Sequence, residues 1–151
     1  LLALPAAHAQ ASPPTGVLDL QFTVANERLA MFFQRPSITW TGRTAQLWIF
    51  LAMPDGKSKN AGGWYQQTVD CTARTVTGSA VWPVGKTYEV RPALSGTEKP
   101  TAPITPTSMD ESISKVLCDG TDFHFNQPPA SNLHTAWLQA QDLFKSLAKP
   151  S

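Results

Sequence analysis

Gln46-Leu47-Trp48-Ile49-Phe50-Leu51-Ala52-Met53 is apolar at every position after its first. A β-strand sends alternate side chains to opposite faces, so a run without polar alternation has to be covered on both. The stretch therefore predicts a central strand with structure packed above and below it. Pro54-Asp55-Gly56-Lys57 ends the run, since Pro presets one turn angle and Gly accepts the positive one.

Upstream of this strand, Leu18-Asp19-Leu20-Gln21-Phe22-Thr23-Val24 alternates with period two, as a half-buried strand does. Leu29 to Phe33 and Ile38-Thr39-Trp40 follow, and Thr41-Gly42-Arg43 makes a turn into the central run. Downstream, the polar and Gly-rich residues 56–63 are expected to form a mobile hairpin loop. Trp64 to Thr77 is rich in β-branched residues, Gly78 interrupts it, and Ala80 to Val84 and Thr87 to Val90 complete the set. About six short strands with tight connections argue for an antiparallel meander and against parallel βαβ units.

Beyond residue 91 the pattern changes. Pro92, Pro100, Pro103 and Pro106 mark an extended connector lying on the surface. Ser108-Met109-Asp110-Glu111 then reads as a capping box, with serine and glutamate side chains meeting the first unpaired amides of a helix. Met109, Ile113, Val116 and Leu117 form its apolar stripe and Asp119-Gly120 stops it. On a regular helix Cys118 sits about 100° from Leu117, so a bond from Cys118 toward the sheet is easiest if the last turn loosens. Phe123 and Phe125 flank His124 in an irregular stretch, and Pro128-Pro129 forbids a helix there. A second helix starts at Ser131 or Asn132, with Leu133, Trp137, Ala140, Phe144 and Leu147 on one face and Lys145 and Lys149 near its negative end. The fold class is α+β: a curved antiparallel meander of about six strands followed by two amphipathic helices.

The chain has 151 residues, 15% of them charged, and a net charge of +1. That length fits one domain, and the weak charge removes the electrostatic case for nucleic acid or anionic membrane as a partner. Leu1 to Ala11 is apolar and Ala-rich and contains Ala7-His8-Ala9 and Ala9-Gln10-Ala11, two overlapping small-x-small patterns. It reads as the tail of a secretory signal peptide cleaved after Ala9 or Ala11. Residues 12–151 are then a single exported domain, placed in the periplasm, at the cell surface or in the medium. No segment approaches the length of apolar sequence that a membrane helix needs.

Export changes how Cys71 and Cys118 are read, because an oxidising compartment lets thiols pair. A disulfide would close a loop of nearly fifty residues and restrict the unfolded chain by about 4 kcal/mol. The alternatives are a metal site built with His124 and His134, whose spacings match no familiar ligand pair, or two buried thiols.

Catalytic chemistry has few candidates. His124 and His134 are the histidines outside the leader, and neither accompanies a nucleophile elbow or a phosphate loop. His134, beside Leu133 on a helix, reads as a surface residue; His124 reads as a loop residue that could line a pocket. No cofactor or metal is called for, and the chain reads as a non-enzyme. Trp48 is assigned to the core, whereas Trp64 and Tyr65, bordering the Gly-rich loop, are expected to be exposed anchors of an interaction surface.

Val69-Asp70-Cys71-Thr72-Ala73-Arg74-Thr75, taken with Ile104-x-Pro106-x-Ser108-x-x-Glu111-x-Ile113-x-x-x-Leu117-Cys118, resembles the surface-adhesin protein E family of Gram-negative bacteria. In that pattern a strand carries Asp-Cys-x-x-Arg, and a Pro-x-Ser turn launches a helix ending in the second Cys. The likeness spans about residues 18–120 and leaves 121–151 as a helical extension. It implies a helix tethered to a curved sheet through Cys71 and Cys118. It also implies a binding role toward extracellular-matrix, serum or envelope proteins, with dimerisation as a further property. A periplasmic structural or assembly factor, pairing through its C-terminal helix, is the alternative role. The lipoprotein cysteine that would hold such a protein at the membrane has no counterpart in this sequence.

Overall fold

The computed structural model describes residues 12–121 and 127–148, so the expectations for residues 1–11, for Phe123, His124 and Phe125, and for Lys149 lie outside the described residues. The elements run β1 (Leu20–Ala25), β2 (Ala30–Gln34), a 3-10 turn (Arg35–Ser37), β3 (Thr39–Thr41), β4 (Thr44–Ala52), β5 (Asn60–Asp70), β6 (Thr75–Gly78), β7 (Trp82–Gly85), β8 (Lys99–Pro103), α1 (Met109–Asp119) and α2 (Leu133–Ala148). All strands join one antiparallel sheet in the order β1-β2-β4-β5-β6-β8, with β3 added to β4 and β7 to β5.

A long central hairpin explains why eight strands replace the expected six among the described residues. β4 and β5 pair from Thr44 opposite Asp70 to Ala52 opposite Gly62. Each is long enough to carry two short strands end to end on its outer side: β3 and β2 along β4, β6 and β7 along β5.

The Gly-rich loop is shorter than expected, because β5 already begins at Asn60. Gly62 and Gly63 are strand residues: a Cβ on Gly62 would overlap the Leu51 carbonyl, and one on Gly63 would stand 2.8 Å from Val81 Cγ1. They are there for close approach of neighbouring backbone. The expected single strand from Trp64 to Thr77 is cut at residues 71–74, where the Asp70 carboxylate accepts the Thr72 and Ala73 amides at 3.0 and 2.9 Å. The proline-rich connector is exposed, as expected, but contains β8, which pairs with β6. Pro100 and Pro103 are tolerated there because β8 lies at the sheet edge.

The apolar run of β4 is covered on both faces. Its even-numbered residues Trp48, Phe50 and Ala52 pack with Leu20, Phe32 and Trp64 under Ala136, Ala140 and Phe144 of α2. Its odd-numbered Leu47 and Ile49 pack with Phe33, Tyr65, Val69 and Val76 under Ile113 of α1. On the α2 face, register aligns Phe22, Phe32, Phe50, Trp64 and Trp82 as one aromatic row across five strands. Neighbouring rings along it lie 5.6 Å apart for Phe22–Phe32, 6.2 Å for Phe32–Phe50 and 5.6 Å for Phe50–Trp64. The small side chains of Ala136 and Ala140 let α2 come close to so bulky a surface.

Both helices start as their sequences direct. The Ser108 hydroxyl accepts the Glu111 amide at 3.1 Å, although the Glu111 carboxylate returns to the Thr107 amide, one residue earlier than a standard capping box. Gly120 closes α1 in the left-handed conformation, φ 66°. The Asn132 side chain caps α2 by accepting the Thr135 amide at 2.8 Å. Two helix details differ from expectation. Leu147 is 53% exposed although it shares the face of Ala136 and Ala140, because it stands in the last turn of α2, beyond the buried residues Ala136, Ala140 and Phe144. Cys118 needs no loosened turn, because it stands one turn beyond the fully buried Ser114 on a regular helix.

Candidate interaction site

Cys71 and Cys118 are joined by a disulfide, with Cα atoms 5.6 Å apart. The bond ties the end of β5 to the last turn of α1. Around it the Asp-Cys-x-x-Arg stretch forms a compact corner. Asp70 holds the turn amides, Arg74 takes a left-handed φ of 60°, and the Ile104 amide donates to the Arg74 carbonyl at 3.0 Å. These residues build the scaffold; the solvent-facing features lie elsewhere.

Trp64 and Tyr65 do not form the expected exposed pair. Trp64 is 0% exposed and Tyr65 9% exposed. Strand alternation turns them to opposite faces: Trp64 crosses Trp48 edge-on at 6.3 Å in the α2 core, and Tyr65 packs in the α1 core. Their places were readable in principle, since Trp64 pairs with Phe50 and Tyr65 with Ile49, both inside the central apolar run. Treating residues 56–63 as one loop hid that pairing.

Among the described residues Trp40 is the exposed Trp, Tyr or Phe, 49% exposed on β3, where all three residues are exposed. Among the described residues β3 pairs with β4 alone. The two-residue turn Gly42-Arg43 makes Thr41 opposite Thr44 a hydrogen-bonded pair, so the next pair, Trp40 opposite Ala45, is a non-hydrogen-bonded one. The Trp40 N–H and C=O consequently point away from the sheet, an open strand edge beside an exposed ring. Alongside runs a groove of about 290 Å³ lined by Phe33 and Trp40 from the sheet, Ile38 just before β3, and Val116 and Leu117 from α1. Arg35 stands at its rim, its guanidinium held by Asp19 through bonds of 3.1 and 2.7 Å.

At the other end of α1 lies a second concavity of about 200 Å³, lined in part by Tyr65, Gln67, Lys99 and Asp110. The Tyr65 hydroxyl donates to Gln67 Oε1 at 3.0 Å, Gln67 Nε2 donates to Asp110 Oδ1 at 3.0 Å, and the Lys99 ammonium donates to Asp110 Oδ2. Burial, reinforced by the Asp110 charge, raises the Tyr65 pKa far above its ordinary value, so the phenol stays protonated. The sequence reading places Tyr65 in an exposed pair with Trp64 and gives Gln67 and Asp110 no role beyond a strand and a helix start. Their meeting depends on where α1 lands, which no local pattern encodes.

His134 is exposed, and its ring stacks on Tyr88 with centroids 5.0 Å apart. With both cysteines in the disulfide, the metal site read from Cys71, Cys118, His124 and His134 loses its thiolates, and no group of three acidic, His or Cys residues suited to a metal occurs among the described residues. No described helix is long and apolar enough to cross a membrane.

An antiparallel sheet with one helix disulfide-tethered across one face and a second helix on the other defines an α+β scaffold. The chain is similar in fold to the solved structure of Haemophilus influenzae protein E, with a TM-score of 0.52 over 75% of this chain and 98% of that one. The two sequences are 15% identical, so the likeness is one of fold. No protein-family model matches the chain, and no curated protein matches it by sequence.

Proposed function

We propose that the chain is an exported, non-enzymatic protein-binding module that engages extracellular-matrix, serum or envelope proteins through β3 and the groove beside it. The carrying observation is Trp40: a half-exposed ring on an open strand edge, next to an apolar furrow. Aromatic residues at the centre of such patches carry a large share of binding energy, and an open edge offers main-chain bonds to an extended partner. The disulfide fits an oxidising compartment, and the fold likeness to protein E supports the adhesin-type reading.

The experiment is surface plasmon resonance of the purified chain over immobilised matrix, serum and envelope proteins. Trp40→Ala should weaken any captured partner at least about tenfold, as loss of a hot-spot aromatic does. Partners bound equally by wild type and Trp40→Ala would place the binding surface elsewhere. Sedimentation of the same two proteins tests whether β3 meets a second copy. The alternative of an assembly factor pairing through its C-terminal helix has less to use, because Ala136, Ala140 and Phe144 of α2 are buried against its own sheet and Leu138 and Leu147 are its exposed large apolar residues.

A further inference from the structure

The concavity at the N-terminal end of α1 has features that packing alone does not require. Gln67 is 1% exposed, between Tyr65 and Val69 on a sheet face that is otherwise apolar. A buried amide is costly unless hydrogen-bonded, and an apolar side chain of similar volume would often serve stability as well or better. Here the amide is bonded, and in a directed way. The Tyr65 hydroxyl, the Gln67 amide and the Lys99 ammonium all donate along a chain that ends on the two oxygens of Asp110.

Direction decides what the cavity still offers. Among the described residues the Tyr65 oxygen accepts no hydrogen bond, so its lone pairs remain available as an acceptor. The second N–H of the Gln67 amide and two of the three N–H groups of Lys99 likewise have no partner among the described residues. All of these side chains line the same cavity, and Met31, Leu51 and Val81 supply its apolar wall. The Lys99–Asp110 pair is neutral in sum, yet Lys99 is the more exposed partner, its side chain 51% accessible against 15%. The mouth of the cavity is therefore its positive end.

We propose that this cavity binds a small aliphatic carboxylate with an N–H on its α-carbon, either a free amino acid or the C-terminal residue of a peptide. The carboxylate accepts from Lys99 at the mouth and from Gln67. The α-nitrogen donates to the Tyr65 oxygen, and a short branched side chain rests on Met31, Leu51 and Val81. The volume of about 200 Å³ matches the size of one such residue. Protein partners of β3 would meet the opposite end of α1, so this site stands or falls separately from the reading above.

Isothermal titration and saturation-transfer NMR on the intact, oxidised protein test it with L-leucine and N-acetyl-glycyl-L-leucine as probes and L-leucinamide as the control lacking a carboxylate. At least one probe should bind saturably in the millimolar range. L-leucinamide, Gln67→Leu and Lys99→Met should each weaken that binding at least about tenfold. Lys99→Met alters a half-exposed side chain and removes one ion pair from Asp110, which keeps its bond from Gln67, so the melting curve should move only slightly and the loss of binding reports the site rather than the fold. Preference for the free or the acetylated probe assigns the ligand's source. The proposal is overturned if neither probe saturates, if L-leucinamide binds as well as L-leucine, or if Lys99→Met binds like wild type.

Discussion

α1 and α2 cover opposite faces of one sheet and are held there by different means. α1 is fastened at both ends: the Cys71–Cys118 disulfide secures its last turn, and the chain from Tyr65 through Gln67 to Asp110 secures its first. α2 has no covalent bond to the sheet. It rests on the aromatic row through Ala136, Ala140 and Phe144, with Gln141 bonded to the Met53 carbonyl and the Asp55 amide at its flank. α1 is short and its mean sequence is poorly apolar, so specific bonds compensate for a small contact. α2 is longer and buries more large rings beneath it, so close packing suffices.

The sharpest way to break the contrast is a charge under α2. Ala140→Asp puts a carboxylate against the Trp48–Phe50–Trp64 cluster without a partner and should cost about 4 kcal/mol or more. Urea denaturation would register it, and the exposed aromatic row should bind a hydrophobic dye. Next in size is removal of the tether. Cys71→Ala with Cys118→Ala frees a loop whose ends are 47 residues apart and should cost about 2–4 kcal/mol. Hydrogen exchange should quicken in the last turn of α1 before its first, because Asp110 still holds that end.

A smaller effect is expected from the polar chain. Gln67→Leu leaves the Tyr65 hydroxyl buried without its acceptor and should cost about 1–3 kcal/mol, part of which Tyr65→Phe in the same chain restores. A double-mutant cycle measures the coupling. Tyr65 also makes stability depend on alkali. Its pKa is raised in the folded state, so the unfolded chain releases the proton first. Stability from this group is intact below the ordinary tyrosine value of 10.0 and declines as pH rises above it. Tyr65→Phe should flatten that alkaline decline in a melting series. Smallest of all, Leu147→Ala should change stability by no more than about 0.5 kcal/mol, since its side chain is already half exposed in the last turn of α2.

Much of this architecture is legible in local pattern. The doubly apolar run of β4 required two covered faces, and two helices cover them. The Ser108 cap and the Gly120 stop bounded α1 to the residue, because both act through bonds within a few positions. What local pattern could not supply was pairing over distance. Gly62-Gly63 looked like a loop because glycine marks turns more often than close strand contacts, and only the position of Leu51 and Val81 tells the two apart. The misplacement of Trp64 and Tyr65 followed from that reading.

The candidate surfaces belong to the same category. Trp40 was visible as a strand residue, but its exposure depends on β2 and β3 sharing one flank of β4, which leaves β3 without an outer neighbour among the described residues. Gln67 was an unremarked strand residue until α1 brought Asp110 against it from 43 positions away.

The amino-acid order alone determined that this protein is a sheet with two covered faces, where its first helix begins and ends, and where its second begins. Those outcomes follow from side-chain periodicity and from capping bonds of short reach. Tertiary structure decided which aromatic ring meets solvent, which amide is buried, and what each concavity offers. Such properties come from register between strands and from the seat of a helix, and both are settled by contacts summed over the whole sheet rather than by any stretch of the chain.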